Sequence, residues 1–185
     1  MRIIAGKWRG RSLKTPNSDT TRPTSDRARE ALFSMLESRM GSLESLRVAD
    51  IFAGTGALGL ESLSRGATYS VFVEQDPEAC KILKANIEKM GAQAETRLMA
   101  QPVSSLAPIS QPFDLLLFDP PYNSGGAGAL LEKLTRLGWA SPSAWASIET
   151  AKQEQPSAGG WIVETERTYG KSRVTLLRRS IEVEA

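Results

Sequence analysis

The stretch Val48-Ala49-Asp50-Ile51-Phe52-Ala53-Gly54-Thr55-Gly56-Ala57-Leu58-Gly59 decides the fold of this chain. A short apolar run leads into a glycine-rich turn, and a helical pattern follows over about 58–65. Backbone can approach a ligand closely at such a turn because glycine has no Cβ. The three glycines match the dinucleotide-binding fingerprint, but any cofactor that lies across a strand-to-helix turn requires glycine there. The spacing alone therefore predicts a cofactor site without naming the cofactor.

Apolar runs alternate with helical patterns along the rest of the chain. The patterns predict strands over 48–53, 69–74, 95–99, 114–118, 145–149, 161–169 and 172–181. They predict helices over 26–40, 58–65, 77–90 and 130–137. Such alternation is typical of an α/β protein with a mostly parallel sheet, helices on both faces and right-handed crossovers. The last two strands flank Gly170-Lys171, which predicts a closing antiparallel hairpin.

Two acidic residues at predicted strand ends bear on the cofactor. Asp50 lies just before the turn, where its charge would oppose a bound pyrophosphate but would suit the cationic sulfonium of S-adenosylmethionine. Glu74 ends the next strand and can accept hydrogen bonds from both ribose hydroxyls, a feature that both cofactors share. The structural alternatives are a capping aspartate at position 50 and a surface acid at position 74. Asp76, followed by Pro77, instead predicts a helix N-cap with proline at N1.

The second informative motif is Asp119-Pro120-Pro121-Tyr122, which follows the continuous apolar run 115–118. That run predicts a buried strand of a parallel sheet. Two prolines fix their own φ and keep Asp119 out of the helical region, so the chain leaving the strand is stiff. Asp119 and the nearby carbonyls can accept hydrogen bonds, while the Tyr122 ring offers a face for stacking. The combination suits a flat heterocycle with an exocyclic amino group, and the structural alternative is a proline-stiffened turn.

Composition narrows the class of protein. The 185 residues predict a single domain, and the chain contains one cysteine and no histidine. With so few metal-ligating side chains we expect no metal. No apolar run approaches the ~20 residues that a bilayer span requires, so we expect no membrane association. Cys80 shares a helical face with Leu83, Ile87 and Met90, which predicts a packed thiol, and the expected location is a reducing cytoplasm.

Charge is unevenly distributed along the chain. Residues 1–30 hold eight basic and three acidic side chains, a net +5, so the remainder carries −3 of the overall +2. A basic front end on a slightly acidic body predicts an anionic partner that docks at one edge, and the alternative is a solvated tail. Ile3, Trp8 and Leu13 interleave the charges, which predicts a small β-hairpin with Trp8 packed against the body. We therefore divide the chain into a hairpin and loop over 1–21 and a core over 22–185.

Together these stretches resemble the RsmD-type small-subunit ribosomal RNA guanine methyltransferases, a family of class I methyltransferases. The resemblance covers nearly the whole chain. It rests on the opening arm 1–11, Arg22-Pro23-Thr24, Asp26-Arg27, Arg29-Glu30-Ala31-Leu32-Phe33, the glycine turn, Glu74-Gln75-Asp76 and Phe118-Asp119-Pro120-Pro121-Tyr122. It implies a Rossmann-like core with a seven-stranded sheet whose last strand is reversed. The glycine turn and Asp-Pro-Pro-Tyr are shared by amino-methylating enzymes generally, and the arm with Arg-Pro-Thr narrows the choice to this family.

The resemblance implies S-adenosylmethionine as methyl donor. The implied acceptor is the exocyclic 2-amino group of a guanine in 16S ribosomal RNA, on an assembled or assembling small subunit. The implied catalytic residues are Asp119, Pro120, Pro121 and Tyr122. The implied cofactor-binding residues are Asp50, Phe52, Ala53, Gly54, Thr55, Gly56, Glu74, Gln75 and Gln101. The residues expected to bind RNA phosphates are Arg2, Lys7, Arg9, Arg11, Arg22, Arg27 and Arg29. We also expect a monomer.

Three alternatives stay open at the level of sequence. The local residues do not separate guanine from adenine, so an adenine-N6 methyltransferase acting on DNA or RNA is the nearest. A catalytically idle RNA-binding assembly factor would keep the same fold. A nicotinamide dehydrogenase is the third alternative, and the glycine spacing is the only feature of the sequence that supports it.

Overall fold

The computed structural model describes residues 1–16, 26–121 and 126–180. Within these ranges the helices are α1 Asp26–Met40, α2 Ala57–Ser64, α3 Pro77–Met90 and α4 Ala127–Arg136. The strands are β1 Arg47–Ile51, β2 Tyr69–Glu74, β3 Thr96–Ala100, β4 Phe113–Phe118, β5 Ala140–Ala151, β6 Trp161–Tyr169 and β7 Ser172–Arg179. None of the described helices is long and apolar enough to cross a membrane.

The seven strands form one sheet in the order β3-β2-β1-β4-β5-β7-β6. Strands β1 to β5 are parallel to one another, while β7 is antiparallel to both β5 and β6. The chain runs outward from β1 to β3 and then returns to place β4 on the other side of β1. A ligand crevice in such a sheet lies where the strand order reverses, which is here between β1 and β4. The predicted α/β fold with a closing antiparallel hairpin is confirmed.

Side chains of β4 alternate between two apolar cores, one on each face of the sheet. Leu115 and Leu117 pack with the buried residues of α1, α2 and α3. Leu116 and Phe118 pack on the other face with residues of α4 and with Trp139. All four are almost fully buried, as the unbroken apolar run predicts for a central parallel strand. The stiff motif that follows β4 therefore starts from a fixed strand end.

Local capping residues set the bounds of α3. The Asp76 carboxylate accepts a hydrogen bond from Ala79 N at 2.7 Å, and Pro77 occupies the first helical position. Gly91 ends the helix with a φ of 70°. The predicted N-cap and the predicted bounds are confirmed, and the thiol of Cys80 is buried in the apolar face as expected.

The amino-terminal arm, residues 1–16, folds back on itself but is less regular than a β-hairpin. One antiparallel bridge joins Arg2 to Ser12, and a 3-10 turn over Gly6–Trp8 separates the two sides. A longer β-ladder does not form, because Ile4 N and Ala5 N donate to the Glu61 carboxylate of α2 instead of to the opposite side of the arm. Trp8 and Leu13 are buried in the core shared with α1, α2 and α3, so the predicted packing of Trp8 against the body is confirmed.

Strand β5 is longer than predicted, because it begins at Ala140 rather than near residue 145. Its first residues pair with the start of β4, and a register shift follows between the Phe113 and Leu115 pairings. The Ser141-Pro142-Ser143 segment looks like a strand breaker in the sequence. The irregular register accommodates it.

Candidate active site

The carboxyl ends of β1, β2 and β4 meet at one edge of the sheet. Ala53 N, just beyond β1, donates to Val73 O in β2 at 3.0 Å. Asp119 N, just beyond β4, lies 3.5 Å from its acceptor Ile51 O in β1. The glycine turn, the β2 carboxyl end and the Asp-Pro-Pro motif are therefore held to adjacent strand ends by backbone hydrogen bonds.

Three residues of the turn have positive φ: Phe52 at 65°, Gly54 at 53° and Gly56 at 80°. A bulky residue rarely adopts this conformation, and such strain is concentrated at functional sites. A Cβ added to Gly54 would meet nothing within 4 Å, so open space lies above that backbone. A Cβ on Gly56 would instead come within 2.1 Å of Leu83 Cδ1. The first glycine therefore faces a space that a ligand can occupy, and the second allows α3 to pack closely.

Gly59 lies in α2 rather than in the turn, and it packs against β2. A Cβ there would lie 2.3 Å from Phe72 Cε1 and 2.7 Å from Ser70 Oγ. It therefore lets α2 pack tightly against β2. Its amide N–H also donates to Asp50 Oδ2 at 2.8 Å, so the capping role that the sequence left open for Asp50 is present.

Asp50 lies in an environment that disfavours a negative charge. It is almost fully buried at the end of β1. Burial raises its pKa to about 8, the Gly59 hydrogen bond opposes that rise, and the negative charges of Asp119 and Glu74 add to it. Asp50 lies in β1, which pairs with β2, ending at Glu74, and with β4, which Asp119 follows, so the three carboxyl groups belong to adjacent strand ends. A cation bound beside Asp50 would favour the ionised form of this residue.

The Glu74 carboxylate accepts hydrogen bonds from three backbone amides. Oε2 accepts from Gly54 N at 2.8 Å, which joins the end of β2 to the glycine turn. Oε1 accepts from Gln75 N and Asp76 N, each at 2.9 Å. Glu74 is therefore half-buried at the end of its strand and is held against the glycine turn.

The acceptor motif extends from the half-buried Asp119 and Pro120 to the exposed Pro121. Asp119 adds its charge to those around Asp50. Tyr122, predicted to stack on a base, lies outside the described residues. The part of the motif that the structure describes thus puts a carboxylate and proline carbonyls beside the glycine turn.

The two predicted glutamines follow the neighbouring strand ends. Gln75 is exposed directly after β2. Gln101 follows β3, the strand that pairs with β2, and its Nε2 donates weakly to Ser105 O at 3.4 Å. Both lie on the side of the turn away from β4.

Comparisons with known proteins show the family of this chain. A family model described as Conserved hypothetical protein 95 matches residues 1–178. Ribosomal RNA small subunit methyltransferase D of Haemophilus influenzae is 36% identical over 176 residues, which are 92% of this chain and 89% of that protein. The Escherichia coli K12 protein of the same name is 33% identical over 187 residues, covering 100% of this chain and 93% of that one.

The chain belongs to the RsmD family. A solved structure of the Escherichia coli protein yhhF has a TM-score of 0.86 and 32% identity, and the match covers 98% of this chain and 99% of that one. The chain is thus a methyltransferase with the class I fold. A nicotinamide dehydrogenase is no longer an alternative.

Most of the predicted phosphate-binding residues of this RsmD-family chain are exposed. Arg9, Arg11 and Arg27 have exposed side chains. Arg2 and Lys7 are also exposed, but they form surface ion pairs with acidic residues, to Asp26 at 3.2 Å and to Glu95 at 2.9 Å. Arg22 lies outside the described residues.

Arg29 corrects one prediction, because its side chain is fully buried. Its guanidinium donates to Arg2 O and to Asp26 Oδ1, and its Nε lies 3.9 Å from Glu61 Oε2. A phosphate cannot reach a side chain enclosed in this way. Arg29 instead holds the arm against α1.

Two buried polar residues of this family member were missed by the sequence analysis. Glu61 accepts from Ile4 N at 2.8 Å and from Ala5 N at 3.0 Å, so α2 holds the arm. Asn86 joins the arm to the glycine turn. A usable signal was present, because Asn86 follows Leu83 by three residues on the apolar face of α3, where a polar side chain needs a buried partner.

Proposed function

We propose that the chain transfers a methyl group from S-adenosylmethionine to the exocyclic 2-amino group of one guanine in 16S ribosomal RNA. The observation that carries the proposal is the convergence of Asp50, Glu74 and Asp119 on adjacent strand ends, beside a glycine turn with open space above Gly54. The RNA substrate is supported by the relatives named ribosomal RNA small subunit methyltransferase D.

The electrostatics of the turn favour a cationic donor. Bound S-adenosylmethionine would supply a methyl group on an electrophilic sulfonium. Burial and the neighbouring carboxylates raise the pKa of Asp50 to about 8, so a nearby positive charge would favour its ionised form. A pyrophosphate would add negative charge to the same place. Asp50 is therefore proposed to interact with the methionine end of the donor.

The remaining donor contacts follow from the path of the turn. Glu74 Oε2 accepts one hydrogen bond, from Gly54 N, and a carboxylate oxygen can accept a second, so a ribose hydroxyl can share it. The proposed backbone contacts come from the turn residues Phe52, Ala53, Gly54, Thr55 and Gly56. Gln75 and Gln101 would flank the adenine, on the side of β2 and β3.

The Asp-Pro-Pro motif is proposed to position the acceptor. The amino nitrogen of guanine is a poor nucleophile, because its lone pair is conjugated into the ring. Asp119 and the Pro120 carbonyl would accept hydrogen bonds from the two N–H groups of this amino nitrogen. These bonds would draw its lone pair out of conjugation and hold the nitrogen about 3 Å from the methyl carbon. Tyr122 would stack on the base, which must first leave its own stack. Asp119, or water, would then take the released proton.

The exposed basic residues of the arm and of α1 are proposed to bind phosphates. Arg9, Arg11 and Arg27 lie on the part of the chain that carries a net +5. Substrate binding would then weaken steeply with salt. We further propose that the protein is a monomer and that it acts in the cytoplasm, where ribosomes assemble. We also propose that the segment 1–21, which includes the arm, and the core 22–185 belong to one domain.

The direct test incubates purified protein with labelled S-adenosylmethionine and undermethylated small subunits, and then maps the labelled nucleoside by mass spectrometry. The proposal predicts label on a guanosine of 16S RNA as N2-methylguanosine. Label on adenosine would support the adenine-N6 alternative and overturn the base assignment. No donor binding in calorimetry, together with retained RNA binding, would leave only the assembly-factor alternative.

The role of Asp119 is tested with a matched pair of variants. Asp119→Ala should abolish methyl transfer, because Asp119 is proposed to bind the amino group of the guanine. The affinity for S-adenosylmethionine should stay within a few-fold of wild type. Asp114→Ala is the control, since Asp114 lies at the other end of β4, where it accepts from Arg47 N at 3.0 Å. Loss of transfer and donor affinity together in Asp119→Ala would show that its role is wrongly assigned.

A further inference from the structure

A buried asparagine joins the amino-terminal arm to the glycine turn. Asn86 in α3 is fully buried. Its Oδ1 accepts from Lys14 N at 2.7 Å, and its Nδ2 donates to Lys14 O at 3.1 Å. The same Nδ2 donates to Thr55 O at 2.9 Å. One amide group thus holds both backbone polar atoms of an arm residue and the carbonyl of the central turn residue.

The carbonyl that Asn86 holds belongs to a peptide unit that matters for the turn. Thr55 O and Gly56 N lie in one planar peptide group, so fixing the first fixes the direction of the second. Gly56 N donates to Ala53 O at 2.7 Å and closes the turn. Glycine adopts either sign of φ readily, so this peptide could rotate if nothing held it. Two bonds hold it: the Gly56 N–H bond to Ala53 O on one side of the peptide, and the Asn86 amide on its carbonyl side.

A second contact between the arm and the turn lies beside the first. Thr55 Oγ1 is 3.6 Å from Met1 Sδ. Leu13 N donates to Met1 O at 3.0 Å, so the two ends of the arm move together. A displacement of the arm would therefore act on the turn both through Asn86 and through Met1.

We propose that Asn86 is a positioning residue that couples the basic arm to the donor turn. An arm held in place by RNA would keep the Thr55–Gly56 peptide in the orientation that receives the donor, and donor binding would in return favour the docked arm. Coupling between two binding sites is reciprocal, and it is usually at least about fivefold in affinity. The ligand roles of arm and turn rest on the proposed function, whereas the physical connection through Asn86 does not.

Hydrogen exchange of the ligand-free protein tests the connection without donor or RNA. In Asn86→Ala, the amides of Lys14 and Gly56 should both exchange about fivefold faster or more, while Ser180 N, bonded to Gly160 O far from the site, should keep its wild-type rate. The matched control is Ser12→Ala, which removes an exposed bond from Lys89 Nζ to the arm at 2.6 Å. Ser12→Ala should leave the exchange rate of the Gly56 amide unchanged.

Asn86→Asp is the second variant, because it keeps the side-chain volume and the acceptor for Lys14 N but loses both donated bonds. It should speed the exchange of the Gly56 amide more than that of the Lys14 amide. Wild-type rates at Gly56 in both variants would overturn the proposal, and so would equal acceleration of Ser180, which indicates general destabilisation. Calorimetry should show the donor affinity of Asn86→Ala reduced by a similar factor. Failure of wild type to bind the donor would refute the proposed function, and the exchange rates would still decide the coupling.

Discussion

Glu74 gives the sharpest test of how the site is built, because its carboxylate holds three backbone amides. Only the bond from Gly54 N at 2.8 Å is partly buried, while those from Gln75 N and Asp76 N are exposed. A hydrogen bond to a charged group contributes about 1.5–3 kcal/mol, and solvent reduces this for exposed partners. Glu74→Gln keeps only one oxygen acceptor, so it can accept either from Gly54 N or from the Gln75 and Asp76 amides, but not from both. We expect it to lower the free energy of unfolding by about 1–2 kcal/mol.

Two further variants of Glu74 separate the effect of its charge from the effect of its side-chain length. Glu74→Asp keeps the charge but is shorter by one methylene, about 1.5 Å, so it cannot hold both sets of donors and should resemble Glu74→Gln. Glu74→Ala removes all three bonds and should be the least stable. Urea unfolding of the ligand-free proteins, followed by tryptophan fluorescence, measures these values without any donor contact. Glu74 is also the proposed acceptor for a ribose hydroxyl, and the loss of about 1–2 kcal/mol in that separate contact would weaken donor binding in calorimetry by about 5–30-fold in Glu74→Gln. Wild-type urea midpoints in all three variants would refute the reasoning.

The remaining predictions concern pH and salt. Burial raises the pKa of Asp50 from 3.8 to about 8, so the folded protein retains a proton that the unfolded chain releases, and the free energy of unfolding should fall as pH rises between these values. Asp50→Asn should flatten that dependence in urea titrations and abolish proton release on donor binding, and an unchanged pH profile would contradict it. Arg11→Ala should reduce the slope of log affinity for RNA against log salt by about 0.7–0.9, one phosphate contact, whereas Arg136→Ala on α4 should not. Equal effects would show that the arm is not the RNA contact.

The sequence was sufficient for the fold because the deciding signals are local. Alternation of strand and helix patterns predicts the sheet, and caps such as Asp76 and Gly91 fix α3 to the residue. The start of β5 was not predicted, since its pairing through an irregular register depends on β4 rather than on its own composition. Pairing partners from elsewhere in the chain therefore set the bounds that sequence patterns miss.

The location of the site was predictable for the same topological reason, but its hydrogen bonds were not. Carboxyl ends of parallel strands share an edge, so Asp50, Glu74 and Asp119 had to lie near one another. That Glu74 would bind Gly54 N depends on the exact path of another loop. Arg29 was misread because the buried face of α1 passes through Arg29, Leu32, Phe33 and Leu36, and the arm covers the flank that the helical pattern leaves polar.

The buried Glu61 of α2 holds the amino-terminal arm through hydrogen bonds from the backbone of the arm. Its oxygens accept from Ile4 N and Ala5 N, and a Cβ on Gly6 would lie 1.7 Å from Ser64 O at the end of the same helix. Deleting the first residues would remove both bonds and uncover the carboxylate, which would keep its ion pair with Arg65 Nε at 2.9 Å. Because both donors are backbone amides, a foreign arm grafted onto this core would keep these bonds if it followed the same path and had glycine at position 6. The close approach of Gly6 to α2, rather than the charges of the arm, therefore limits which arm sequences this core can accept.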